Sequence, residues 1–233
     1  MQAHIITLKG HALSERLSQE CRTQAALFGV DVQIRDAVNG HHHLEHFKSN
    51  NLRPRSNDRR KLVPGHFGNF LSHYYLWREC AASAEPYLIL EHDGYFVRPL
   101  PPDVLDRFPH VLKLDDVDPH SKDYQDIMQQ QQDRQGSTEI LPMDKMLDMN
   151  KDAVFYSPGA YAYIIKPTAC RLLINWVSDH GFLSTDNQLA SGVVDIQVCR
   201  PTVARLHPLF AEGDNIHTLS TAKLSAQLPP PND

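Results

Sequence analysis

Residues 87–96, YLILEHDGYF, place four uncharged side chains, Tyr87 to Leu90, directly before the polar triplet Glu91-His92-Asp93. A run this short and apolar, bounded by charge, reads as a strand buried on both faces. Such a strand needs helices on either side, which makes the chain an α/β protein. Glu91 and Asp93 then fall just past the strand's C-terminal end, where open α/β sheets hold their ligands. Two residues apart, they are expected on one side of an extended chain.

The flanking sequence extends this frame in both directions. Upstream, Phe70, His73, Leu76, Trp77 and Cys80 recur with helical period between Gly68 and Ala84. At the N-terminus Ile5, Ile6 and Leu8 form a strand. A helix follows with Leu17, Cys21, Ala25 and Phe28 on one face, closed by Gly29, and then a second strand from Val30 to Ile34. Strand, helix, strand is the opening of a parallel sheet with a right-handed crossover. Downstream, Pro101-Pro102 starts a short helix. Strands are expected at Val111 to Leu114 and Ala160 to Ile165, a helix from Pro167 to Gly181, a helix start at Ser184-Thr185-Asp186, and strand-like sequence from Val194 to Leu206. Together these predict a single domain over residues 1–222 with a mostly parallel central sheet flanked by helices. It carries a flexible basic loop at 48–62 (Lys48, Arg53, Arg55, Arg59, Arg60, Lys61) and a polar insertion or flap at 115–152. A disordered tail follows at 223–233.

Composition narrows the function classes. The 233 residues are 41% hydrophobic and 22% charged, which excludes a disordered chain, and no apolar run nears the ~20 residues of a membrane span. Lys and Arg number 23 against 28 Asp and Glu, a net charge of -5 that repels polyanions, so nucleic acid is a poor partner. The start, MQAHIITLKG, lacks the pattern of a secretory signal. Cys21, Cys80, Cys170 and Cys199 form no CxxC pair, so reduced thiols and a cytoplasmic location are expected. The sequence leaves the oligomeric state open.

Several motifs bear on chemistry. Oxygen ligands at Glu91 and Asp93 suit Mg²⁺ or Mn²⁺ together with substrate phosphates; the alternative is a solvated strand end. No GxxxxGK[ST] or GxGxxG loop occurs, which argues against kinases and dinucleotide enzymes. Ser72 and His73 are neighbours on a helix and point about 100° apart, so they cannot pair as nucleophile and base and instead face the donor or the core. His41-His42-His43 with His46, in a loop after Asn39-Gly40, reads as an incidental site for Ni²⁺ or Zn²⁺.

Four separated segments together resemble glycosyltransferase family 25, which includes bacterial lipooligosaccharide galactosyltransferases and collagen galactosyltransferases. They are IITLKGHALSER with the downstream DAVNG, GHFGNFLSHYYLW, YLILEHDGYF, and GAYAYIIKPTACRLL followed by STDNQLA. Ser72-His73 with Trp77 and the LILE-x-D block are the specific parts. The resemblance implies a GT-A-like fold and a metal-bound donor such as a UDP-hexose. It further implies inverting transfer to a hydroxyl of a saccharide or lipid-linked saccharide, as in lipopolysaccharide biosynthesis. On the family pattern Asp93 is the first choice of metal ligand, with His92 and His207 as further candidates. Leu8, Arg16, Ser72, His73 and Glu91 fall on the donor side, and Asp186 is the candidate base, with a plain helix cap as its alternative. The family's acidic block usually reads E-D-D, whereas His92 stands in the middle here, and Asn187 stands where a second Asp is usual. These departures keep two other readings open: a catalytically silent member that binds a nucleotide or a partner, and a transferase with DNA as acceptor through the basic loop.

Overall fold

The structure, a computed structural model, describes residues 1–55, 62–114, 138–143, 146–147, 154–155 and 160–211. The first crossover consists of β1 (Gln2–Thr7), α1 (Ala12–Leu27) and β2 (Gln33–Asp36). A 3-10 turn (Gly40–His42) leads into α2 (His43–Asn50) and α3 (Pro64–Ala82). Next come β3 (Tyr87–Glu91), β4 (Gly94–Phe96), a 3-10 turn (Val104–Asp106) and β5 (Val111–Lys113). Beyond them lie β6 (Glu139–Pro142), the short β7 (Met146–Leu147) and β8 (Val154–Phe155), and β9 (Ala162–Ile165). The described chain ends with α4 (Pro167–His180), α5 (Thr185–Ala190), β10 (Ile196–Arg200), β11 (Ala204–Leu206) and α6 (Pro208–Ala211).

Seven strands make the central sheet in the order β2-β1-β3-β9-β5-β10-β6. β1, β2, β3, β5 and β10 run one way, while β9 and β6 run the other. The expected mostly parallel α/β sheet is therefore present, with an antiparallel β9 between β3 and β5. Alternation along β3 sorts its side chains. Tyr87 and Ile89 join the core under α3 and α4, and Leu88 and Leu90 join the core under α1. That period puts Glu91 on the α3 face.

Most expected elements lie within a few residues of their observed bounds, and the differences have local causes. The second strand begins at Gln33 rather than Val30, because the Val30 N–H donates to Ala25 O (3.1 Å) in closing α1. The expected strand from Val194 to Leu206 is two strands, β10 and β11, in different sheets. The loop expected at 48–62 starts three residues later than expected. Residues 48–50 finish α2, and the backbone beside Pro54 pairs with Phe182, with Phe182 N–H donating to Arg53 O and Arg55 N–H to Phe182 O, each at 2.9 Å. The insertion expected at 115–152 contributes β6 to the main sheet, where Val198 pairs with Leu141. Residues 56–61, most of 115–152 and the tail at 223–233 lie outside the described residues.

Candidate active site

The C-terminal ends of β1 and β3 are adjacent, with Ile6 opposite Glu91. Beyond Glu91 the chain turns at His92-Asp93 and re-enters as β4, so the pair is not on an extended segment as expected. The turn runs against the backbone of Tyr161, where a Cβ on Gly94 would collide with the Tyr161 carbonyl, and Glu91 N–H donates to the same oxygen at 2.9 Å. Only glycine fits there.

Glu91 is the end of a buried chain of polar groups. Trp77 Nε1–H donates to the Tyr163 hydroxyl at 2.9 Å, and that hydroxyl lies 2.7 Å from His73 Nδ1. His73 Nε2 lies 3.2 Å from Glu91 Oε1, which also accepts from Asn69 Nδ2 at 3.0 Å. Donor counting fixes the order. Tyr163 accepts from Trp77 and gives its own proton to Nδ1, so that Nε2 is the His73 nitrogen that donates to Glu91. Burial pushes the Tyr163 phenol well above its ordinary pKa, which keeps that proton in place. From Asn69 the chain continues, since its Oδ1 accepts from the hydroxyl of Thr185, the residue before Asp186. Asn69, His73 and Trp77 are spaced by four residues and so share one face of α3.

Asp93 is 5% exposed, and its Oδ1 has no hydrogen-bond partner among the described residues. Burial raises its carboxyl well above the usual range, and the charges of Glu91 and Asp186 raise it further. Asp93 thus feels the charges of Glu91 at the β3 end and of Asp186 at the start of α5. A divalent cation fits this arrangement, because an enclosed carboxylate oxygen without a partner beside further carboxylates is stabilised by positive charge. No group of three or more His, Cys, Asp or Glu side chains forms a metal site among the described residues. Mg²⁺ and Mn²⁺ do not require one, since one or two carboxylates with substrate phosphates suffice.

The other candidates are distributed differently. His92 is fully enclosed, its pKa pushed down to about 4 mainly by burial against an opposing pull from Glu91, with His11 and His207 adding to the lowering. Its carbonyl accepts from Cys21 of α1, so it belongs to the opposite side of β3 from Glu91. His207 is buried. Its Nδ1 accepts from Leu209 N–H (3.2 Å) and its Nε2 meets Glu20 Oε2 (2.9 Å), which engages both ring nitrogens and leaves no lone pair for a metal. Its backbone N–H donates to Asp93 O at 2.7 Å, so it braces the turn. Arg16 is on the exposed face of α1, paired with Glu20 at 3.6 Å. Ser72 is structural in this arrangement, accepting from Val38 N–H (2.8 Å) and donating to Gly68 O (2.6 Å). Leu8 is buried and its N–H donates to Ser14 Oγ at 2.9 Å. Asp186 occupies the first turn of α5 and not its cap, which is Ser184.

The histidines at 41–43 and 46 are not in a loop. They lie in the 3-10 turn and α2, where His43 stacks on Phe67 and His46 Nδ1 meets the Tyr75 hydroxyl at 2.8 Å. Asn69, Thr185, Tyr163 and Trp77 escaped the sequence reading as a set. The one available signal was the four-residue spacing of Asn69, His73 and Trp77.

Buried carboxylates at the end of β3, backed by a polar chain, lie where α/β sheets of this kind hold their ligands. A family model described as glycosyltransferase family 25 (LPS biosynthesis protein) matches residues 1–188, and the chain belongs to that family. Glycosyl transfer is the class of reaction this membership carries. The match spans the β3 end, α3 and Asp186, and stops within α5. Among solved structures, mouse xyloside xylosyltransferase 1 in its apo form is similar at 8% identity with a TM-score of 0.40, covering 82% of this chain and 80% of that one. That likeness is too slight to bear on the site. No curated protein sequence matches the chain. Among the described residues no helix is long and apolar enough to cross a membrane.

Proposed function

We propose that the chain transfers a hexose from a nucleotide-diphospho-sugar, a UDP-hexose, to a hydroxyl of a saccharide or lipid-linked saccharide, with inversion at the anomeric carbon. What supports this reading is the chain's family membership, together with a buried Asp93 that feels the charges of Glu91 and Asp186, and with Glu91 and the start of α5 joined through Asn69. In the proposed reaction the acceptor oxygen attacks the anomeric carbon as its bond to the diphosphate breaks, and the electron pair leaves with the nucleoside diphosphate. Asp186 takes the acceptor's proton, and Glu91, fixed by His73 and Asn69, orients the donor. Mn²⁺ or Mg²⁺ held by Asp93 would supply positive charge where the leaving diphosphate becomes negative.

Two nearly isosteric changes separate the roles. UDP-hexose is titrated with and without Mn²⁺, and transfer is measured on the same samples. Asp93→Asn should weaken metal-dependent donor binding and transfer together. Asp186→Asn should leave donor affinity nearly intact while turnover falls by roughly 10² to 10⁴. Normal metal-dependent binding by Asp93→Asn removes Asp93 as the ligand, and full transfer by Asp186→Asn leaves Asp186 only a place in a helix start. Donor binding without turnover by the unaltered chain would favour a silent member of the family.

A further inference from the structure

On the α1 side of the molecule a cavity of about 460 Å³ is lined by Gln24, Tyr95, Val97, Arg98 and Arg205. Its floor is the small sheet β11-β4, in which Tyr95 and Arg205 are directly paired. Alternation explains the lining. Phe96, Ala204 and Leu206 point into the core, so Tyr95 and Arg205 stand together on the other face. The Nε of Arg205 is buried without a hydrogen-bond partner among the described residues. A buried donor on a permanent cation is costly to leave unpaired and implies an acceptor that binds there. Glu20, one turn before Gln24 on α1, does not supply it, being engaged by Arg16 and His207. Two guanidinium groups at one cavity, with a phenol and an amide beside them, match an oxyanion that accepts forked hydrogen bonds.

We propose that this cavity is an anion site for a small molecule carrying a phosphate or carboxylate group, with Arg205 and Arg98 as its main donors. None of its lining residues belongs to the Glu91, Asp93 and Asp186 group, so the site does not depend on the transfer reaction proposed above.

The test follows the arginine side-chain Nε–H resonances of the full chain by NMR while glucose 6-phosphate, glucuronate or glucose is added, with Arg205→Lys identifying the Arg205 signal by its loss. A saturable shift at Arg205 with either anionic sugar and none with glucose is expected, and the sugar that saturates at lower concentration tells a phosphate site from a carboxylate site. Arg205→Gln and Arg98→Gln should each weaken that binding by about ten- to a hundredfold, the scale of a charge-assisted hydrogen bond. A thermal unfolding midpoint and amide spectrum close to those of the parent show that these variants are folded. If Arg205→Gln loses its fold, Arg205→Lys serves instead, keeping the charge and losing the fork, and should still bind more weakly. Equal affinity in the variants, shifts that grow without saturation at every exposed arginine, or displacement of the anionic sugar by UDP with Mn²⁺ would each overturn the proposal.

Discussion

Glu91 acquires its place through the side chains bonded to it. Its Oε1 takes two donors, His73 and Asn69, and His73 is oriented in turn by Tyr163 and Trp77. Tyr163→Phe keeps the ring in the core but removes the acceptor for Trp77 Nε1–H and the donor for His73 Nδ1. Two buried groups lose partners, so urea unfolding should show a loss of about 1–3 kcal/mol or more. A loss under 0.5 kcal/mol, within the range of ordinary surface changes, would mean that the chain of bonds does not hold the site. The sequence disclosed Glu91 and His73 but not the bonds that extend this chain on either side of them. Glu91 stood out because charge follows a buried strand, and His73 because a histidine interrupts an apolar helix. Tyr163 sits in a strand of buried residues, where a tyrosine reads as packing, and its partner is 90 residues away. Nothing local marks such a bond.

At the scale of elements, the position of α3 decides whether the network exists at all. The connection from β2 lies against α3 at Gly40 and Gly68, where a Cβ on Gly68 would stand 2.5 Å from Val38 O. Ser72, one turn on, holds the same segment through Val38 N–H. Gly68→Ala forces backbone from backbone and should cost at least about 1–3 kcal/mol in thermal or denaturant unfolding. Because Asn69 is the next residue, donor affinity should fall as well; unchanged stability would show that the contact yields freely. Helices were the most legible elements, since an apolar period announces α3 and Pro167 announces α4, although α3 starts at Pro64, one turn before the expected Gly68. The direction of β9 was not legible. The run Ala162 to Ile165 is buried on both sides and would read the same if β9 ran parallel to its neighbours. The conformation of Glu91 to Asp93 was equally hidden, because the turn depends on how closely Tyr161 approaches Gly94.

For the whole molecule, acid sensitivity has an identifiable source in β1. His4 is 1% exposed, both its ring nitrogens lack hydrogen-bond partners among the described residues, and its ring packs on Tyr87. Burial lowers its pKa and Arg35 lowers it further, against an opposing pull from Glu79. Below the ordinary value of about 6.5 the unfolded chain then binds more protons than the folded one. Stability from this group is complete above that pH and declines as the pH falls towards the lowered value. His4→Phe keeps a ring beside Tyr87 and removes the titration. It should lose no stability at neutral pH and should show a shallower decline between about pH 7 and pH 5 in unfolding experiments. A decline as steep as that of the parent would place the acid sensitivity elsewhere.

The antiparallel β9 between β3 and β5 also sets a timetable for synthesis. β1, β2 and β3 can pair as soon as the first 91 residues have emerged, but one edge of β3 then has no neighbour until residues 162–165 leave the ribosome. Throughout that interval an apolar strand, Tyr87 to Leu90, offers unpaired backbone to any passing chain. Closure of the sheet is therefore a late event, and the long polar stretch between β5 and β9 has to be made before the centre of the molecule can form. A nascent chain stalled anywhere in that stretch carries an open edge at what will become its core.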